Sequence, residues 1–234
     1  MRVSMSVSYG TSFAAVEGWL RTFACLLMAG WLVTLPQGAA HAQAPAKPVK
    51  LVVLGDSLSA GYGLPATAAF PVRLQKALTD KGVAVDITNA GVSGDTTSGG
   101  LGRLDWSVPD GTQGVIVELG ANDALRGVDP KIPREALTEI VKRLQARGIK
   151  VLLCGMLAPP NYGKDYADKF NAIYPDLAKQ FDIPLYPFFL DGVAGNTALN
   201  LPDGMHPTAD GVDIVVNKIL PTVETFVATL APKN

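Results

Sequence analysis

The chain has 234 residues, 48% of them hydrophobic and 18% charged, which is enough for one sizeable core and gives no sign of a second domain. Its 20 basic and 21 acidic residues leave a formal net charge of -1, so no basic stripe is available to bind nucleic acid or an anionic membrane surface. Composition therefore argues against a nucleic-acid-binding protein and favours one compact domain.

The first 42 residues have the pattern of an export signal. Arg2 and Arg21 precede the apolar run 23–35, which has the length of a signal-peptide core and is too short to span a membrane comfortably. A small-x-small tripeptide ends at Ala42, and we predict cleavage after it. The mature protein is then expected in the periplasm or outside the cell, with no stable membrane span.

Cleavage at that point leaves a loose leader at 43–49 and a folded domain at 50–234. The positively charged region before the apolar core is unusually long, so two alternatives stay open: a start at Met5, or retention of the segment as an anchor. Cys25 leaves with the signal, and Cys154, without a disulfide partner, is expected to be a buried strand residue. The alternative, a nucleophilic cysteine, needs a neighbouring histidine or helix start.

Apolar runs of strand length alternate with amphipathic stretches along the rest of the chain. The predicted strands are Lys50 to Leu54, Val83 to Thr88, Gly114 to Leu119, Ile149 to Met156 and Ile183 to Tyr186. The predicted helices are Phe70 to Asp80, Ile132 to Arg147, Tyr166 to Phe181 and Thr208 to Leu230, with a weaker one between Thr96 and Asp105. Because each parallel connection needs a right-handed crossover, this alternation predicts an α/β fold: a three-layer α/β/α sandwich with a five-stranded parallel sheet.

Three loops of unusual composition follow predicted strands. They are Gly55-Asp56-Ser57, the stretch 89–96 and Gly120-Ala121-Asn122-Asp123. Parallel strands place their carboxyl ends along one edge of a sheet, where open α/β sheets bind ligands. The loop 203–206 can reach the same edge after the fifth strand, so we expect four separate segments to converge on one site.

Ser57 is the predicted nucleophile at this edge. A serine hydrolase needs an imidazole to take the hydroxyl proton and an acid to orient that imidazole. His206 is the only histidine beyond the predicted signal and Asp203 lies in the same short loop, so the two are predicted as base and acid. Acyl transfer also needs hydrogen-bond donors for the oxyanion, and the candidates are the backbone N–H groups of Ser57 and Gly91 and the side-chain amide of Asn122.

Taken in order, these blocks resemble the SGNH or GDSL hydrolase family. The blocks are Gly-Asp-Ser-Leu at 55–58, Gly91, Gly-Ala-Asn-Asp at 120–123 and Asp-Gly-Met-His at 203–206. The residues at 57–62, 93–96, 161–163 and 173–175 resemble its bacterial periplasmic branch of thioesterase, lysophospholipase and arylesterase enzymes. The resemblance implies a flavodoxin-like SGNH hydrolase fold, Ser57 as nucleophile, His206 as base, Asp203 as its orienting acid, and Gly91 with Asn122 in the oxyanion hole.

The resemblance also implies a serine esterase that cleaves carboxylic esters and thioesters through an acyl-enzyme. We expect a small acyl ester or thioester as its partner, no metal or organic cofactor, and a monomer. Two alternatives stay open, a carbohydrate O-acetyl esterase and a non-catalytic ligand-binding module. Substrate-binding residues are unknown, since the loop 156–160 with Phe188, Phe189 and Leu190 could line an acyl groove or belong to the core.

Less specific roles are open for several of these residues. Ser57 could be a helix cap or turn hydroxyl, and His206 a buried structural histidine. The chain has no Gly-x-Ser-x-Gly elbow, which argues against the α/β-hydrolase fold, and it lacks the spacing of a dinucleotide site and a tetrahedral metal-ligand set. The rival nucleophiles are Ser59 and Ser93, and the acids expected to cap loops rather than to act in catalysis are Asp56, Asp95 and Asp123.

Overall fold

The computed structural model describes residues 4–6 and 47–230, so nearly all of the predicted signal peptide, its cleavage site and most of the predicted leader lie outside the described residues. Five parallel strands form one sheet, in the spatial order β2-β1-β3-β4-β5. The strands are β1 Val49–Gly55, β2 Val85–Gly91, β3 Gly114–Glu118, β4 Lys150–Cys154 and β5 Leu185–Tyr186. The helices are α1 Ser57–Ala60, α2 Phe70–Asp80, α3 Thr97–Gly102, α4 Leu104–Ser107, α5 Ala121–Leu125, α6 Lys131–Ala146, α7 Lys164–Asn171, α8 Ile173–Phe181 and α9 Ala209–Ala228.

Helices cover both faces of the sheet. α2 packs against α9, whereas α3 packs against α6 and α6 against α8. The central strands are therefore buried from both sides: every residue of β3 is buried, and every residue of β1 except Lys50. Strands buried on both faces read as continuous apolar runs, which explains why the sequence pattern located them. The predicted three-layer α/β/α sandwich is confirmed.

The strand order places a topological switch point at the carboxyl ends of β1 and β3. From β1 the chain moves outward to β2 and then crosses back to β3, so the loops after β1 and β3 diverge and leave a crevice between them. Gly55 is paired with Gly91 of β2 and with Glu118 of β3. Because the three strands end level with one another, the residues that follow them emerge side by side.

The prediction of one continuous helix from Tyr166 to Phe181 is wrong, because the chain forms two helices there, α7 and α8. Pro175 lies in the first turn of α8. A proline has no N–H to donate, and in a continuous helix its ring clashes with the carbonyl four residues earlier, here that of Asn171. The first helix therefore ends at Asn171, and the second begins at Ile173.

The fifth strand is shorter than predicted. Only Leu185 and Tyr186 pair with β4, whereas the apolar run begins at Ile183. Pro184 and Pro187 flank the pair and cannot donate to a ladder, which confines such a segment to the edge of a sheet. Within the described ranges, no helix is both long and apolar enough to cross a membrane.

Candidate active site

Ser57 begins helix α1 directly after strand β1. The helix is capped by Asp56, whose Oδ1 accepts a hydrogen bond of 3.0 Å from the N–H of Leu58. Asp56 is thus the cap that the sequence predicted, and the hydroxyl of Ser57 is free of that role. Ser57 lies at the carboxyl edge of the sheet, where β1 ends. Its side chain is nearly buried, with 9% of the residue exposed, so only a small reactive group can reach it.

His206 and Asp203 complete a chain of hydrogen bonds to Ser57. His206 Nε2 lies 2.9 Å from Ser57 Oγ, and its Nδ1 lies 2.7 Å from Asp203 Oδ2. The other carboxylate oxygen, Oδ1, accepts the backbone N–H groups of His206 at 3.0 Å and Met205 at 2.9 Å. These bonds, the backbone ones first, lower the pKa of Asp203 to about 2, so this acid stays ionised beside the imidazole.

Backbone hydrogen bonds fix the loop that carries the predicted acid and base. The N–H of Leu201 donates to the carbonyl of His206 at 2.7 Å, and the N–H of Thr208 donates to the carbonyl of Leu199 at 2.9 Å. Gly204 takes φ 71° inside this turn, a conformation that residues with a Cβ rarely adopt. The imidazole is therefore held at a set position rather than on a free loop.

Tyr62 is a neighbour of His206 that the sequence did not reveal. Its ring centroid lies 4.4 Å from that of the imidazole, with the two planes tilted by 36°. The contact covers one side of the imidazole and limits its rotation, while the tyrosine itself stays 52% exposed. Other large apolar residues are exposed on segments that follow the strands at this edge: Val92, Leu125, Leu157, Tyr162 and Met205.

Asn122 lies between the loop after β2 and the turn Gly55-Asp56-Ser57, which carries the predicted nucleophile and is called the nucleophile turn below. Its Nδ2 donates to Asp56 Oδ2 at 3.2 Å and to the carbonyl of Asp95 at 2.9 Å. Gly120 precedes it at φ 122°, and a Cβ there would lie 2.0 Å from the hydroxyl of Tyr174. Glycine is thus required to start α5, the helix that aims the amide of Asn122 at the crevice.

Gly91, the other predicted oxyanion residue, is engaged within its own loop. Its N–H donates to Asn89 Oδ1 at 2.9 Å. A Cβ at this position would lie 2.5 Å from the backbone nitrogen of Ala60 and 2.9 Å from the carbonyl oxygen of Asp56. Close packing against α1 therefore accounts for glycine at 91. In the same loop, no described residue accepts a hydrogen bond from the N–H of Gly94, which is exposed and has φ 83°.

Two buried carboxyl groups lie behind Ser57. Glu118 is fully buried, and its Oε2 accepts hydrogen bonds from Ser59 Oγ at 2.6 Å and from the N–H of Asp56 at 3.3 Å. Its Oε1 has no partner among the described residues. Burial raises the pKa of Glu118 well above its usual range and that of Asp56 to about 6. Ser59, buried and bonded to Glu118, is not placed to act as a nucleophile.

The remaining polar residues of the loops do not bond to Ser57 or His206. Asp123 holds the start of α3, because its two carboxylate oxygens accept the N–H and the hydroxyl of Thr97, each at 2.8 Å. Asp95 forms an ion pair of 2.6 Å with Arg103 instead of capping an N–H group. Ser93 is exposed, and the imidazole of His206 is already bonded to Ser57.

Several residues that could have served other sites belong to the core. Cys154 is fully buried in β4, and burial raises the pKa of its thiol well above the usual range. Met156 and Phe189, considered for an acyl groove, are 3% and 1% exposed, so for these two the core alternative holds. Among residues 4–6 and 47–230, no three His, Cys, Asp or Glu side chains are grouped so as to hold a metal ion.

Comparison with known proteins gives one consistent family. The sequence matches the GDSL-like lipase/acylhydrolase family over residues 53–214. It is 44% identical over 162 residues to the arylesterase of Vibrio mimicus, covering 68% of this chain and 80% of that protein. It is 40% identical over 168 residues to thioesterase 1/protease 1/lysophospholipase L1 of Escherichia coli K12, covering 71% and 79%. The crystal structure of TesA superposes with a TM-score of 0.72 at 38% identity, covering 75% of this chain and 98% of that one.

Proposed function

Because this chain belongs to the GDSL-like lipase/acylhydrolase family, we propose that it is a serine esterase that hydrolyses carboxylic esters and thioesters through an acyl-enzyme. One observation supports this most directly. Ser57, His206 and Asp203 form a continuous hydrogen-bond chain, with distances of 2.9 and 2.7 Å, at the switch point of the sheet. A nucleophile, a base and an acid that orients the base are the groups that acyl transfer requires.

In the proposed reaction, Ser57 Oγ attacks the acyl carbon as its proton moves to His206 Nε2. Asp203, ionised and bonded to Nδ1, stabilises the imidazolium that forms. The tetrahedral intermediate collapses as His206 gives the proton to the departing alcohol or thiol, which leaves an ester on Ser57. A water molecule then loses a proton to His206 and attacks that ester, and collapse of the second intermediate returns the proton to Ser57 and releases the carboxylic acid.

The oxyanion of each intermediate needs donors beside Ser57 Oγ. The N–H of Ser57 and the amide of Asn122 support this role by their position, although the amide must loosen or share its 3.2 Å bond to Asp56. The N–H of Gly91 can serve only when the exposed side chain of Asn89 turns away. The N–H of Gly94 has no acceptor among the described residues and lies next to the residue whose carbonyl binds Asn122, so it is a further candidate donor, one that the sequence did not indicate.

We infer that the substrates carry apolar acyl or aryl groups. The relatives are named arylesterase and thioesterase/lysophospholipase, and exposed Tyr62, Leu157, Tyr162 and Met205 lie on segments around the site. Apolar area of this kind binds a hydrocarbon chain through the hydrophobic effect. The proposed enzyme therefore differs from an O-acetyl esterase in gaining from longer acyl groups.

Export and oligomeric state belong to the same proposal. The signal-peptide pattern of residues 1–42 supports an exported enzyme that works in the periplasm or outside the cell. The site contains its nucleophile, base and acid within one chain, which fits a monomer. N-terminal sequencing of the exported protein and sedimentation at micromolar concentration test the two points.

The proposed function is tested by hydrolysis of p-nitrophenyl esters from acetate to palmitate. The full sequence is expressed, and wild type, Ser57→Ala and Ser93→Ala are purified and compared. Ser57→Ala should lower kcat by up to ~10⁶-fold, while Ser93→Ala, which removes an exposed hydroxyl of the neighbouring loop, should be close to wild type. An optimum above acetate supports the acyl-chain enzyme. Equal activity of wild type and Ser57→Ala, or no activity on any ester, contradicts the proposal.

A further inference from the structure

Arg103 is a buried cation next to the active site, and it takes no part in the proposed reaction. It is 6% exposed, and its guanidinium has four hydrogen-bond partners. Nε donates to Asp95 Oδ2 at 2.6 Å, one terminal nitrogen donates to the carbonyl of Ala90 at 2.7 Å and to Ser107 Oγ at 3.0 Å, and the other donates to the carbonyl of Gly55 at 2.8 Å.

Two of these partners are the carbonyls at the ends of adjacent strands. Gly55 is the last residue of β1 and Ala90 the last but one of β2. The peptide after Gly55 leads into Asp56 and Ser57, and the peptide after Ala90 leads into the loop 91–96. A planar guanidinium with a fixed fork of donors thus ties the nucleophile turn to the start of that loop.

The third partner connects the guanidinium with the oxyanion donors. The side chain of Asp95 is held by Arg103, and the backbone carbonyl of the same residue accepts the amide of Asn122 at 2.9 Å. The N–H of Asp95 also donates to the carbonyl of Val92 at 3.1 Å, which closes the loop on itself. Asn122 is therefore held relative to Ser57 in two ways, by its 3.2 Å bond to Asp56 and by the shorter bond to the loop that Arg103 and Asp95 fix.

We propose that Arg103 is a positioning residue for the oxyanion hole, which it acts on by fixing the loop 91–96 against the nucleophile turn. This role rests on the proposed function, since it is a role in stabilising the tetrahedral intermediate. Arg103 itself does not touch the substrate. A donor that is displaced by a fraction of an ångström loses much of its effect on the transition state while ground-state binding is nearly unchanged, so the expected signature is a fall in kcat without a matching rise in KM.

The variant that separates positioning from charge is Arg103→Lys. Its ammonium can pair with Asp95 but cannot span the carbonyls of Gly55 and Ala90 in one plane. We expect kcat for p-nitrophenyl butyrate to fall about 10²-fold, as for loss of one oxyanion donor, with KM within about threefold of wild type. Arg147→Lys is the matched control, because Arg147 also donates to a backbone carbonyl, that of Val108 at 2.6 Å, and lies just before β4, at the edge of the sheet opposite to the site.

Two readouts distinguish positioning from a general loss of structure. Titration with a p-nitrophenyl phosphonate counts competent sites, so kcat is expressed per active enzyme. An aliphatic trifluoromethyl ketone, which forms a hemiketal oxyanion on a serine, should bind Arg103→Lys more weakly by the same factor as the fall in kcat. A purely structural role instead lowers the number of titrated sites and leaves the kcat of each site and the ketone affinity unchanged.

The outcomes keep this inference separate from the proposed function. If wild type and Ser57→Ala do not differ in ester hydrolysis, the proposed function fails. If they differ as expected but Arg103→Lys retains wild-type kcat and ketone affinity, the positioning role is refuted. Millimolar guanidinium should restore part of the kcat of Arg103→Ala, and urea should not. Failure of both Arg103→Lys and Asp95→Asn to give soluble protein also overturns the proposal, because Arg103 would then act on folding.

Discussion

Asp203→Asn changes the shape of the side chain very little, but we expect it to remove nearly all of the activity of the enzyme. Asp203 Oδ1 accepts the N–H groups of Met205 and His206, and Oδ2 accepts from the imidazole. An asparagine keeps both backbone bonds only if its carbonyl oxygen replaces Oδ1, because an amide NH₂ cannot accept. The NH₂ then faces Nδ1 of His206, which must become the acceptor, and the proton of the neutral ring moves to Nε2.

An imidazole that carries its proton on Nε2 cannot take the proton of Ser57. The same substitution in a serine-protease triad lowers kcat about 10⁴-fold, which corresponds to about 5 kcal/mol in the barrier. A loss of that order is expected here, because the two backbone bonds that select the orientation of the amide are both present. The loop itself should keep its conformation, since its carbonyl contacts survive the substitution.

The assay is hydrolysis of p-nitrophenyl butyrate by purified Asp203→Asn, with thermal unfolding measured in parallel. Asp210→Asn, which removes an exposed carboxylate from the first turn of α9, is the matched control and should retain wild-type kcat. ¹⁵N NMR of His206 reads the tautomer directly. Retention of more than a tenth of wild-type kcat, or a proton still on Nδ1 in the variant, refutes the reasoning.

Two further predictions concern the packing behind Ser57. Gly91→Ala places a Cβ 2.5 Å from a backbone nitrogen of α1, so urea denaturation should show a free energy of unfolding lower by about 1–3 kcal/mol. The control is Gly102→Ala, whose Cβ meets no atom within 4 Å and which should raise the free energy of unfolding by up to about 1 kcal/mol. Equal effects of the two substitutions would contradict this prediction. Burial raises the pKa of Asp56 to about 6, so the folded state binds this proton more tightly than the unfolded state, and stability should fall by up to about 3 kcal/mol as pH rises from about 4 to about 6. Asp56→Asn, which keeps the cap, should reduce the slope by this share, while Glu118, whose pKa burial also raises, keeps its own share. An identical slope in the variant and in wild type between pH 4 and 7 would be inconsistent with this prediction.

The sequence pattern was sufficient for the sheet and for the convergence of the loops. Strands buried on both faces leave continuous apolar runs, and parallel strands bring their carboxyl ends to one edge whatever the details of the helices. With only His206 available beyond the predicted signal, its pairing with Ser57 followed from chemistry. Element boundaries were less predictable, because prolines such as Pro175 and Pro184 act through the particular hydrogen bonds that they cannot make.

The groups that support the site left no local signal in the sequence. Arg103 donates to Gly55, 48 residues earlier in the sequence, and Ser59 donates to Glu118, 59 residues later. Separations of this size do not appear in the short repeats by which helices and strands are recognised. Gly91 was predicted as an oxyanion donor, but the sequence could not show that the backbone of α1 packs against this glycine. Contacts of this kind become visible only when the register of β1 with β2 and β3 is known.

Ser57 and His206 are 149 residues apart in the chain and 2.9 Å apart in the folded protein. The proposed nucleophile follows the first strand, whereas its proposed base follows the last, so a chain that is still being synthesised carries Ser57 for most of that time without His206 beside it. A contact of such long sequence separation can form only when the entropy of closing the intervening chain is overcome. Ester hydrolysis is therefore expected only after the segment that follows the last strand has joined the sheet, and a chain truncated before His206 is expected to be inactive.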